Sequence, residues 1–130
     1  MLTPISDNDV ATIVSGGVTL HEALKAAKLL SAKGKPVRVI DVFTVKPLDW
    51  QTILHHSTQT HNRIITVEDH YPEGGICEAV ASSLLINAPN HQFKLVKLCV
   101  NSIPFSGQPN ELMERFGIDA KSIVATVENF

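Results

Sequence analysis

Short apolar runs alternate along the chain with stretches of helical periodicity. The first run, Val10–Ser15 (VATIVS), has the length and the β-branched content of a buried strand. The stretch after it carries apolar residues at helical spacing, namely Leu20, Ala23, Leu24, Ala27 and Leu30. Thr19 and Glu22 have the spacing of a capping box at the start of this helix, which Gly34 and Pro36 should end.

The same succession of strand and helix recurs three times. The runs Val37–Phe43, Arg63–Glu68 and Phe93–Val100 predict three more strands. Asp49 and Asp119 stand where an N-cap is expected, before one helix and before the last. The remaining helices are predicted near 50–60, at the apolar stripe Ile76, Ala79, Val80, Ser83 and Leu84, in NELMERF ending at Gly117, and in DAKSIVATVENF, with the loop NSIPFSGQP before the last two.

This alternation predicts an α/β fold with a mostly parallel sheet and helices on both faces. The segment Leu2–Ser6 (LTPIS) is left over, and we interpret it as a short edge strand antiparallel to Val10–Ser15. Pro4 suits an edge, where its missing N–H costs nothing. We expect residues 1–130 to form a single domain.

Composition excludes several classes of protein. The chain has 130 residues, 44% of them hydrophobic and 18% charged, which is typical of one globular domain. A net charge of −2 argues against nucleic-acid binding, and no stretch is apolar enough for a membrane span. The start of the chain lacks the features of a signal peptide. Two cysteines, Cys77 and Cys99, predict reduced thiols and a cytoplasmic location.

Three loops should meet at the carboxyl edge of the sheet, where α/β proteins usually bind ligands. They are Ser15–Gly17, Phe43–Pro47 and Asp69–Gly75. Ser15, Gly16 and Gly17 precede a helix, and helix N-termini attract anions. The segment carries no nucleotide-binding fingerprint, however, and two glycines are equally explained by a tight turn. We favour the turn and keep the anion site as an alternative.

The stretch EDHYPEGGICEAV (Glu68–Val80) is the densest in polar groups. A triad of Ser15, His70 and Asp69 is disfavoured, because adjacent strand residues point in different directions and Ser15 has no nucleophile elbow. Neither the histidines nor the cysteines have metal-ligand spacing. Adjacent carboxylates such as Glu68 and Asp69 more often cap backbone groups or bind a basic residue than act as general acid and base. We therefore expect no catalytic, cofactor-binding or metal-binding residue in this chain.

Three segments together resemble the C-terminal domain of animal-type transketolases. They are VTLHEALKAAKLLSAKGKPVRVIDVFTVKPLD, RIITVEDHYPEGGICEAV and SGQPNELMERFGID, so that the resemblance covers nearly the whole chain. Cys77 stands where such transketolases usually have glycine.

The resemblance implies a three-layer α/β/α domain with a mixed five-stranded sheet whose first strand is antiparallel. It also implies a parent enzyme that moves a two-carbon ketol unit between sugar phosphates in the pentose phosphate pathway. That enzyme uses thiamine diphosphate and a divalent metal, Mg²⁺ or Ca²⁺, as a cytosolic homodimer. Its cofactor and substrate ligands belong to the two preceding domains, and none can be assigned to a residue here. The partners implied are the remaining domains and a second subunit, with no nucleic acid and no membrane.

Two other functions stay open from the sequence. One is a regulatory domain that binds a small anion at Ser15–Gly17. The other is the partner-docking C-terminal domain of a 2-oxoacid dehydrogenase beta subunit. We expect Glu68, Asp69, His70, Gly74 and Gly75 to be structural and interfacial rather than catalytic.

Overall fold

A computed structural model describes residues 1–103 and 106–130. The predicted loop 101–109 includes residues 104 and 105, which lie outside the described residues. The elements are β1 (Thr12–Ser15), α1 (Val18–Ala32), β2 (Arg38–Asp41), α2 (Trp50–Thr58), β3 (Arg63–Val67), α3 (Ile76–Asn87), β4 (Lys94–Leu98), α4 (Pro109–Phe116) and α5 (Ala120–Glu128). The predicted order of strands and helices is confirmed, although the strands are shorter than predicted. None of these helices is long and apolar enough to cross a membrane.

The sheet has the strand order β2-β1-β3-β4, and all neighbouring strands are parallel. Ile13 of β1 lies opposite Val39 of β2 and Ile65 of β3. At the carboxyl edge, Ser15 lies opposite Asp41 and Val67. The loops that follow β1, β2 and β3 therefore leave the sheet side by side.

The predicted antiparallel fifth strand is wrong for the residues that the structure describes. Leu2 and Thr3 lie along the outer edge of β2, not beside β1. The Leu2 N–H donates to the Val39 carbonyl (2.8 Å), while the Val39 N–H donates to the Thr3 hydroxyl (3.0 Å). A strand ladder needs successive backbone pairs, and here a side chain replaces one partner while Pro4 has no N–H to offer.

Alternate strand residues face two separate cores, as a sheet covered on both faces requires. One core joins the sheet to α1, α4 and α5, and it includes Ile13, Val39, Ile65, Leu30, Phe116 and Ile123. The other lies under α2 and α3, and it includes Val14, Ile40, Ile64, Ile53, Val80 and Leu84. The sheet is thus flanked by helices on both faces, as predicted.

Two of the predicted helix caps are confirmed, and the capping box is wrong. Asp49 accepts a hydrogen bond from Thr52 N–H (3.1 Å), and Asp119 accepts one from Ser122 N–H (3.1 Å). Hydrogen bonds from the side chain and N–H of Thr52 hold the pKa of Asp49 below its usual value. Helix α1 instead starts after Gly17, without a side-chain cap. Glu22 reaches α5, where its carboxylate accepts the Ala120 N–H (2.9 Å).

A buried polar network lies at the opposite, amino edge of the sheet. The Arg38 Nε donates to Asp9 Oδ2 (2.9 Å), and both side chains are fully buried. The Arg38 Nη1 is bonded to Gln59 Oε1 and lies 3.0 Å from His56 Nδ1. Arginine has no acceptor atom, so His56 Nδ1 must accept this bond and carry no proton. Burial, aided by the Arg38 charge, lowers the pKa of His56.

Candidate functional site

A cleft of about 460 Å³ lies at the carboxyl edge, between the ends of β1 and β3. Its polar and glycine lining consists of Gly16, Gly17, Glu68, Asp69, His70, Gly74 and Gly75, with Val18, Val45 and Ile76 as apolar walls. The structure thereby brings together two groups of residues that the sequence singled out separately. Seven of the eight residues named above as candidates line this one cleft.

Glu68 forms the floor of the cleft and caps helix α3. It follows β3 directly and is only 2% exposed. Its carboxylate accepts the N–H of Ile76 and lies 3.4 Å from the N–H of Cys77. A negative charge at a helix N-terminus is favourable, both through these bonds and through the helix dipole. The carboxylate therefore caps backbone groups, which is one of the two roles that the sequence suggested for it.

Gly74 and Gly75 are needed as glycines for different physical reasons. Gly75 has extended backbone angles that any residue can adopt, but a Cβ there would lie 2.7 Å from Cδ of Glu68. Gly74 has a positive φ of 74°, which side chains rarely adopt, and its N–H donates to Glu78 Oε2 (2.8 Å). Gly75 makes room for the Glu68 carboxylate, while Gly74 makes the turn.

Asp69 and His70 form the exposed rim of the cleft, and the half-exposed Tyr71 follows them along the chain. The His70 Nδ1 lies 2.8 Å from the Tyr71 carbonyl, which can only accept, so Nδ1 carries a proton and donates this bond. The His70 carbonyl accepts the Val100 N–H (2.9 Å). Lys97 Nζ also donates to the Pro72 carbonyl (2.7 Å). These bonds fix the rim to the strand β4 and to the segment after it.

Ser15 lies outside the cleft. It is fully buried, and its hydroxyl lies 2.8 Å from the Thr19 hydroxyl and 3.0 Å from the Val67 carbonyl. Its neighbour Gly16 is held against the loop after β2, since a Cβ there would lie 2.8 Å from the Val42 carbonyl. The Ser15–His70–Asp69 triad is therefore not assembled, because the Ser15 hydroxyl serves the sheet and His70 bonds to Tyr71.

The charges that line the cleft are both negative. Glu68 and Asp69 are carboxylates, His70 is the other titratable group, and no lysine or arginine lines the cleft. An anion would approach these carboxylates and would find the start of α3 already bonded to Glu68. Among residues 1–103 and 106–130, no group of three or more His, Cys, Asp and Glu could hold a metal ion. The lining is thus better suited to a basic group than to a phosphate.

A second cleft of about 450 Å³, which the sequence did not predict, lies across the loop after β2. Met1, Asp41, Phe43, Pro47 and Asp49 are among its lining residues. Phe43 was predicted as the last residue of a strand, yet β2 ends at Asp41 and the Phe43 side chain is 91% exposed. The sequence contained one indication of this cleft, namely that the loop Phe43–Pro47 was expected at the carboxyl edge of the sheet.

Both cysteines are buried free thiols. Cys77 lies in the first turn of α3, as predicted, and positive φ angles among the described non-glycine residues occur at His61 and Asn62 instead. Burial raises the pKa of the Cys99 thiol, which keeps this group protonated and unreactive.

Comparison with known families gives one clear match. Residues 3–123 match the family model described as "Transketolase, C-terminal domain". The match covers nearly all of the elements described above, from the segment beside β2 into α5.

Known proteins with high identity to the chain include transketolases and transketolase-like proteins. The chain is 50% identical over 123 residues to "Transketolase-like protein 1" of Bos taurus, which covers 95% of this chain and 20% of that protein. It is 49% identical over 122 residues to "Transketolase" of Homo sapiens, covering 94% of this chain and 19% of that protein. The chain therefore spans about a fifth of the length of these relatives.

A solved structure has the same fold. It is described as "Split gene transketolase, inactive beta4 tetramer", and it superposes with a TM-score of 0.80 at 33% sequence identity. The superposition covers 94% of this chain and 38% of the other.

Proposed function

The chain belongs to the transketolase C-terminal domain family, and from this premise we propose that it serves a transketolase as a domain without catalytic residues of its own. The parent reaction would be the transfer of a two-carbon ketol unit between sugar phosphates in the pentose phosphate pathway. The role of this domain would be to pack against the other domains and to support the dimer.

The observation that carries this proposal is the use that the fold makes of Glu68. A catalytic carboxylate has to be free to meet a substrate, whereas this one is buried and bonded to the start of α3. The Ser15 hydroxyl is likewise engaged by the sheet. Two polar candidates at the ligand edge, Glu68 and Ser15, are thus engaged by the fold itself.

The cleft does not fit thiamine diphosphate. The phosphate oxygens need cationic side chains or N–H donors, and the cleft has no lysine or arginine. The metal needs free carboxylates, and of the two in the cleft Glu68 is already bonded to α3. Two helix starts line the cleft: that of α3 is already bonded to Glu68, and that of α1, which has no side-chain cap, faces a cleft lined by the Glu68 and Asp69 carboxylates. We therefore assign the cofactor and its Mg²⁺ or Ca²⁺ to other domains of the parent enzyme, and we derive no chemical step through it here.

The partners in this proposal are the preceding transketolase domains and a second subunit, in the cytoplasm. Supporting this are the relatives, which are about five times as long as the chain. The similarity to transketolases also favours this function over a 2-oxoacid dehydrogenase beta subunit. The carboxylates of the cleft make a regulatory anion site the weaker alternative.

A domain exchange tests the proposal. In human transketolase, the matching region would be replaced by this chain. We expect the chimera to reach the same assembly state as the human enzyme and to keep turnover per cofactor-loaded site within about threefold, because no reacting group has changed. A chimera that folds and binds cofactor but loses turnover by a hundredfold would contradict a non-catalytic role. A chimera that does not assemble would contradict a role in this enzyme.

A further inference from the structure

We propose that the carboxyl edge of the sheet is where the preceding transketolase domain docks. An apolar side chain of that domain would cover Phe43, and a basic side chain would enter the cleft beside Asp69. This inference rests on the proposed function, since it assumes that the domain works within a transketolase. It adds which surface is used and what chemistry the partner brings.

Large apolar side chains are exposed after three neighbouring strands at this edge. Val18 after β1 is 53% exposed, Phe43 after β2 is 91% exposed, and Tyr71 after β3 is 52% exposed. Because the three strands are parallel neighbours, these side chains share one edge of the domain. Together with Asp69 they define what we term the carboxyl-edge surface. Exposed apolar side chains bordered by polar groups often mark a protein interface.

The charge of this surface indicates the partner's chemistry. Asp69 is exposed, and its side chain makes no hydrogen bond or ion pair with any residue that the structure describes. Its neighbour Glu68 is already satisfied by α3. A lysine or arginine from outside would therefore find one free carboxylate at the mouth of a negative cleft. The attraction between two such charges is stronger where an interface excludes water.

The N-terminal segment runs along β2 to the same edge. Leu2 and Thr3 bond to Val39, and Met1 then lines the second cleft together with Asp41 and Phe43. The matched family is a C-terminal domain, so the rest of each relative precedes this region. In those relatives the preceding part of the subunit therefore reaches the domain beside the position of Phe43.

A second copy of the chain is a poorer occupant. Two copies that met through this surface about a two-fold axis would bring two negative clefts together without a basic group to neutralise them. The preceding domain meets no such restriction, and its connection raises its effective concentration at this edge.

The test uses the chimera with human transketolase and measures the rate at which a protease cuts the junction before the domain. Phe43→Ser is expected to accelerate cutting about tenfold or more, as loss of a buried aromatic anchor does. The matched control is Ile86→Ser, which removes a side chain that is 72% exposed near the end of α3, away from this edge. Asp69→Lys should also accelerate cutting, whereas Asp7→Lys, in the exposed segment before β1, should not.

Four outcomes decide the matter. The proposal is supported if Phe43→Ser and Asp69→Lys accelerate cutting while the controls Ile86→Ser and Asp7→Lys do not. The unfolding midpoints of the same variants in the isolated chain should be unchanged. Equal rates for Phe43→Ser and Ile86→Ser overturn it and leave the proposed function standing. Self-association of the isolated chain that Phe43→Ser abolishes assigns the surface to a second copy and also overturns it. If the unaltered chimera does not assemble, the proposed function fails, and this inference fails with it.

Discussion

The residue with the largest influence on the site is Glu68, a buried carboxylate that organises the turn around itself. It holds the start of α3, and Gly75 leaves the space that it occupies. From the sequence, a carboxylate at the end of a buried strand was expected to cap backbone groups, but the space that Gly75 leaves for it was not predicted. The turn therefore depends on Glu68 and Gly75 together, two residues that are seven positions apart.

The pairing of Glu68 with Gly75 can be measured as a coupling. Gly75→Ala should destabilise the domain by about 1–3 kcal/mol, because its Cβ would lie 2.7 Å from Cδ of Glu68. In a Glu68→Ala background the same change should cost at least about 1 kcal/mol less, since the obstructing atoms are gone. Urea unfolding of the four proteins provides the cycle. Additive costs would show that the two residues do not compete for this space.

Cys77 is a residue at which glycine should be harmful. It lies in the first turn of α3, is buried, and has no positive φ. Cys77→Gly should destabilise the domain by about 1–2 kcal/mol, through backbone entropy and lost packing. Cys77→Ala separates the two effects, because it removes the thiol but keeps the Cβ. A denaturant midpoint that rises in the glycine variant would be the contrary result.

Side chains whose partners are distant in sequence were the ones that the residue pattern could not place. Thr19 and Glu22 have capping-box spacing, yet Glu22 bonds to Ala120, which is 98 positions away. Ser15 was grouped with the loop glycines, although its hydroxyl bonds to Val67 across the sheet. Local spacing predicts local bonds, and tertiary packing overrides it wherever a better partner becomes available.

At the scale of elements, β2 and α2 are joined at the amino edge by the Arg38–His56 contact, which makes the domain sensitive to acid. The pKa of His56 lies below its ordinary value of 6.5, so the folded state takes up a proton less readily than the unfolded chain does. The stability associated with His56 is therefore complete above about pH 6.5 and is lost as the pH falls through the lowered pKa.

Unfolding free energies measured between about pH 7.5 and pH 5 should show this dependence. His56→Gln keeps an acceptor for Arg38 but cannot titrate, so it should flatten the decline in stability with falling pH. His21→Gln is the matched control, since His21 is exposed on α1. If His56→Gln keeps the slope of the unaltered chain, the pH dependence has another origin.

The elements that were predicted well have signals within their own segments. Asp49 and Asp119 cap the helices that follow them, and Gly117 ends α4 in the left-handed conformation. The position of the N-terminal segment was not predicted well, because this segment bonds to β2, which is more than 30 residues away in the sequence. The cleft could be predicted in part, since the carboxyl edge of a parallel sheet collects loops in a regular way.

At the scale of the whole molecule, the isolated chain should not bind thiamine diphosphate. The cleft presents Glu68 and Asp69 and no lysine or arginine, so a diphosphate with Mg²⁺ gains little there. Isothermal titration of the chain with thiamine diphosphate and Mg²⁺ should give no heat of micromolar binding. The human enzyme is the positive control. A micromolar affinity of this chain alone would contradict our assignment of the cofactor to other domains.

Within an intact enzyme, Glu68→Gln should affect assembly more than chemistry. Loss of the charge weakens the cap on α3, at a cost of about 1–2 kcal/mol. In the chimera with human transketolase, we expect fewer correctly assembled molecules and nearly unchanged turnover for each of them. Turnover measured on isolated assemblies at saturating cofactor is the relevant quantity. A hundredfold loss with assembly and cofactor intact would place this stretch in the active site.

The position of Leu2 and Thr3 on β2 has a consequence for the solubility of any shortened form of this domain. These two residues occupy the outward N–H and C=O of Val39, at the edge strand of the sheet. Removal of them would leave an unpaired strand edge, which is the usual template for strand addition between molecules. A few residues that contribute little to the core thus act as a guard against edge-to-edge aggregation.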